Sequence, residues 1–89
     1  MNKKEMKKEI KSILLDVTKY KDNEDTLLNL IIRLWEVKQS NVNIFGGVFC
    51  KVSKNNYFEG SRIIKDHILD NTNISKRYKE FLKEQRNKQ

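Results

Sequence analysis

Cysteine and histidine each occur once in the chain, as Cys50 and His67. A single thiol excludes an internal disulfide, and one thiol with one imidazole cannot make the ligand set of a structural zinc, so neither a metal nor a cofactor is expected. No apolar run approaches the about 18 to 20 residues that a membrane span requires. The start, MNKKEMKKEIKSILLDV, is charged and lacks the continuous apolar stretch and small-residue cleavage site of a secretory signal. A cytoplasmic protein without membrane contact is therefore the expectation. Glycine occurs three times, and the adjacent pair Gly46-Gly47 is not followed by the Lys-Ser or Lys-Thr of a phosphate-binding loop.

The chemistry-bearing residues that remain do not assemble into a reaction. Cys50 stands among Val48, Phe49 and Val52, a setting for a buried, inert thiol, and its one candidate base is His67. His67 has Asp66 beside it and Asp70 three residues on, which fits an exposed or capping histidine better than a general base. The other carboxylates are scattered through lysine-rich segments, where they read as ion-pair partners. No enzymatic activity is expected.

What the chain does have is charge. It is 37% hydrophobic and 35% charged over 89 residues, so a single domain must build its core from amphipathic elements. The net charge of +7 is unevenly placed: residues 1–21 carry seven lysines against three acids, residues 22–50 two bases against four acids, and residues 51–89 ten bases against five acids. A weakly acidic middle between two basic ends could face a polyanion. Most of the bases are lysine, which favours attraction to phosphate over bidentate reading of base edges.

Apolar spacing predicts helices almost throughout. Met6, Ile10, Ile13, Leu14 and Val17 form one stripe, with Glu5 and Glu9 placed to pair with Lys8 and Lys11, and Thr18 to Lys21 read as a linker. Asp22 or Asn23 can cap a second helix, with Glu24 and Asp25 in its first turn. Its dominant stripe is Leu27, Leu30, Ile31, Leu34 and Trp35, while Leu28, Ile32 and Val37 lie on other faces. The expectation is that this is the core helix or part of a subunit interface. Gln39 to Asn43 read as a polar connection. After another polar turn at residues 53–56, Tyr57, Ile64 and Ile68, with Phe58, Ile63 and Leu69 at the margin, mark a helix in which Gly60 is either a weak point or the start, capped by Ser61. Ile74, Tyr78, Phe81 and Leu82 define a last helix beginning near residues 72–75, with residues after Arg86 frayed.

The stretch NIFGGVFCKV, residues 43–52, fits two structures. Alternation around the glycines gives a β-hairpin; at helical spacing Phe45, Val48, Phe49 and Val52 share a face. A hairpin would set Phe49 and Lys51 on one side together, whereas a helix beginning at or just after the glycines buries Phe45, Phe49 and Val52 and turns Lys51 and Lys54 outward. The expected fold is an all-α bundle of four to five helices, with a hairpin at 43–52 as the alternative.

Two functions follow. The short helix, polar turn and longer helix could form a helix-turn-helix that contacts DNA through Ser61, Arg62 and Lys65, with Asn55 and Asn56 at the approach and Lys51, Lys54, Lys76 and Lys79 on phosphates. Alternatively, the surplus apolar positions Leu28, Ile32, Trp35 and Val37 could meet a partner protein or a second copy in a homodimer. The segments DNEDTLLNLIIRLW, SRIIKDHI and SKRYKEFLKEQRN, in this order over most of residues 22–86, resemble small all-helical proteins of bacteriophages and related mobile elements, some of the helix-turn-helix class and others of unknown function. That resemblance implies a small DNA-binding regulator or accessory factor. It equally implies an inhibitor of a host enzyme or of host immunity. The basic pattern of such proteins' third major helix is here diluted to Arg62, Lys65 and the acidic Asp66.

Overall fold

In the computed structural model the chain forms five α-helices and, among the described residues, no strand. The structure describes residues 1–55, 58–70 and 72–88, with Leu69 described by its backbone alone; the expected roles of Asn56, Tyr57 and the Leu69 side chain lie outside the described residues. Helix α1 (Lys3–Lys19) is started by Asn2, whose Oδ1 accepts the Glu5 N–H at 2.8 Å while its Nδ2 donates to Glu5 Oε1 at 3.2 Å. The five stripe residues Met6, Ile10, Ile13, Leu14 and Val17 are all at 0% exposure. Helices α2 (Glu24–Ser40), α3 (Val42–Lys54) and α4 (Glu59–Leu69) pack around α1, and α5 (Asn73–Asn87) lies on α2 and α4.

Helix α2 is packed on by α1, α3 and α5, as expected of a core helix, and α1 shares that role. A stripe's width does not tell how many neighbours cover it, and the narrow α1 stripe is enclosed because α2, α3 and α4 all pack against it. Each of these five side chains contributes about 1.5–3 kcal/mol by leaving water. Asn23 caps α2, accepting the Thr26 N–H at 3.1 Å, and Leu27, Leu28, Leu30, Ile31, Leu34 and Val37 are buried. Glu9 reaches across to Arg33 of α2 instead of pairing with lysines of its own helix.

Residues 43–52 are helical throughout, but α3 does not begin at the glycines. One residue, Asn41, separates α2 from α3, so the expected polar connection of residues 39–43 shrinks to a single extended step at φ −159°. The reason is the apolar face: Ile44 and Phe45 precede Gly46-Gly47 and continue the stripe of Val48, Phe49 and Val52 against the core. That continuity offsets a cost of about 1 kcal/mol per glycine relative to alanine. Neither glycine serves a turn or a close approach, since an added Cβ would meet nothing within 4 Å. Val52 and Val48 are buried, whereas Phe45 and Phe49 are half-buried. Cys50 is exposed rather than buried, because it lies off the α3 stripe.

The close approach falls instead at Gly60, inside the first turn of α4. A Cβ there would overlap the Leu14 carbonyl oxygen and lie 2.8 Å from its carbon, so only glycine lets α4 settle on α1. Ser61 does not cap the helix; Phe58 stands at the N-cap and its carbonyl accepts the Ser61 hydroxyl at 3.0 Å. Between α4 and α5, Thr72 accepts the Ser75 N–H and donates its hydroxyl to the His67 carbonyl at 2.9 Å. Ser75, 1% exposed, donates to the Ile68 carbonyl at 2.8 Å. Helix α5 continues to Asn87, past the expected fraying point at Arg86. The whole measures 32 × 30 × 18 Å, a slab about two helices thick. Among the described residues, no helix is long and apolar enough to cross a membrane.

Candidate functional site

The apolar faces that do not reach α1 turn toward one another and leave a groove of about 560 Å³. Ile31, Leu34, Trp35 and Lys38 of α2 line it, with Phe45, Phe49 and Ser53 of α3, Ser61, Arg62, Ile64, Lys65 and Ile68 of α4, and Tyr78 of α5. The groove exists because α3 and α4 both use α1 as their principal support and barely approach each other.

Aromatic rings dominate the walls. Trp35 stands edge-on to Phe81, with centroids 5.3 Å apart and planes at 87°. Phe45 and Phe49 stack at 5.6 Å, and Tyr78 stacks on Phe81 at 6.3 Å. Half-burial pushes the Tyr78 phenol above the ordinary 10.0, because its charged form would lose water. The cations are at the rim: Lys38 and Lys65 are exposed, and Arg62 is exposed and bonded to Glu59 at 2.9 Å. Among the described residues, no carboxylate lines the groove.

The residues expected to touch DNA are thereby divided. Ser61, Arg62 and Lys65 line the groove, with the Ser61 hydroxyl already engaged by Phe58. Lys51 lies away from it, beside Lys3 and Asn43 in a shallow depression. Lys54 and Asn55 are exposed at the end of α3, Lys76 and Lys79 are exposed on α5, and Asn56 lies outside the described residues. Of the residues expected at a protein interface, Leu28 and Val37 are 9% and 6% exposed, so they are spent on the chain's own interior and offer no surface. Ile32 is half-buried, and Trp35 lines the groove. The reason is that α1, α3 and α5 all contact α2, covering faces that a single stripe would have left open.

Phe45, Phe49, Ile68 and Tyr78 were absent from both expected sites. Their signal in the sequence was apolar spacing alone, which cannot distinguish a core position from a groove wall. His67 is half-buried beside a second, polar depression, and its Nδ1 has no hydrogen-bond partner among the described residues. Among the described residues, no group of three or more His, Cys, Asp or Glu could hold a metal ion. No protein-family model, curated protein or solved structure matches the chain.

Proposed function

We propose that this protein is a binding module whose α2–α5 groove takes up an apolar segment of a partner protein. One observation carries the reading: an open, aromatic-walled groove that, among the described residues, no side chain of the protein fills. Concave apolar surfaces of this size with a few polar groups at the edge are the usual form of a binding site. The resemblance to small phage proteins expected from the sequence of the α2, α4 and α5 segments would make a host enzyme or immune factor the class of partner. The test is capture from nuclease-treated host lysate by the immobilised protein, alongside a Phe49→Ala variant. A polypeptide that survives nuclease and falls about tenfold with the variant is the expected result. Capture abolished by nuclease would defeat the reading.

DNA binding is the second reading, supported by the exposed bases Lys51, Lys54, Arg62, Lys65, Lys76 and Lys79, of which Arg62 alone is in an ion pair among the described residues. Mobility shift at two salt concentrations tests it. A phosphate-driven complex must weaken steeply as salt rises, and a duplex that is not retarded even at low salt removes the idea.

A further inference from the structure

The groove's chemistry narrows its occupant, given the reading of it as a protein-binding site. Its floor is aliphatic, formed by Ile31, Leu34, Ile64 and Ile68. An extended peptide laid on such a floor would have to leave its backbone N–H and C=O groups unpaired or find a sheet edge, and an all-helical surface has no edge to offer. A helix brings its backbone already paired. It can then present an apolar stripe at i, i+3 or i+4, and i+7 to the floor.

Charge selects among helices. Lys38 on one side and Arg62 and Lys65 on the other are exposed at the rim, and among the described residues no carboxylate lines the groove to answer them. The one acid bonded to a rim cation, Glu59, is held in a surface i,i+3 pair, which a second carboxylate can displace at little cost. We infer that the groove receives an amphipathic helix of a partner protein whose apolar stripe is flanked by Asp or Glu. The rings offer a nucleic acid less in the same place: Phe45, Phe49 and Tyr78 each have one face taken up by a neighbouring ring. A duplex would also leave the aliphatic floor uncovered.

Trp35 is the single tryptophan and lines the groove, so its emission reports occupancy directly. The probes are three synthetic peptides of about 16 residues, free of tryptophan, with one Leu/Phe stripe at helical spacing and flanking positions filled by Glu, Gln or Lys. The Glu peptide is expected to shift and saturate Trp35 emission in the ~10 μM range, and the Lys peptide to bind at least about tenfold more weakly. In an Arg62→Glu, Lys65→Glu double variant the order should reverse, and Lys38→Glu alone should reduce the preference. Equal binding of all three peptides would overturn the acidic inference while leaving a protein-binding groove. Silence of Trp35 toward every peptide would overturn both. Displacement of the Glu peptide by a duplex oligonucleotide would overturn the inference in favour of nucleic acid. A shift that grows with protein concentration before any peptide is added would do so in favour of a second copy.

Discussion

At the scale of single residues the three glycines should behave in opposite ways. Gly60→Ala would drive a methyl into the Leu14 backbone, which cannot swing aside as a side chain could, and should cost about 3 kcal/mol in denaturant unfolding. Gly46→Ala and Gly47→Ala point into open space within a helix and should each raise stability by about 0.5–1 kcal/mol. Tyr78 makes a separate prediction. Because its phenol is raised in the folded state, the unfolded chain releases that proton first as pH climbs, so stability is intact below 10.0 and declines above it. Tyr78→Phe should flatten that alkaline decline in a thermal melt series.

Among elements, α5 is held by two devices of unequal strength. The buried Ser75 hydroxyl supplies the Ile68 carbonyl at the end of α4, so Ser75→Ala should cost about 1–2 kcal/mol and loosen both helices, read as faster amide exchange there. Arg77, by contrast, bonds Glu24 at 3.1 Å and Asp25 at 2.8 Å at the start of α2, and these two acids raise its pKa. Its side chain is exposed to solvent. Arg77→Ala should therefore lower the melting temperature much less than Ser75→Ala, and the difference from wild type should vanish in high salt. The elements themselves were legible where a regular stripe met a capping residue: the α1 stripe is buried residue for residue, and Asn23 and Thr72 cap where helix starts were expected. Three features were not legible. The glycine pair was misread as a boundary because local propensity contradicts the stripe running through it, and tertiary packing wins that contest. Gly60 as a contact with Leu14 depends on a meeting of distant segments. The groove depends on four helices at once, so Trp35 could be noticed but Phe45, Phe49, Ile68 and Tyr78 could not be grouped with it.

For the molecule as a whole, the arrangement around α1 predicts that no shorter piece is stable. A chain ending at Asn55 lacks the helix that Gly60 seats on α1, leaving Leu14 and its neighbours open on one side. Such a fragment should melt without a cooperative transition, whereas the full chain should unfold in one cooperative step. The order of elements gives this a temporal side. The most deeply buried helix is made before the helices that cover it, and α4 is the last of those covers in the order of the chain. At about 5–20 residues per second, α1 waits several seconds with five large apolar side chains unclaimed. Its lysines Lys4, Lys7 and Lys8, exposed in the finished fold and with no ion pair there among the described residues, lie on the same helix through that interval. Like charge opposes association of incompletely folded chains, so replacing these lysines with glutamine should leave the melting temperature nearly unchanged and lower the soluble yield.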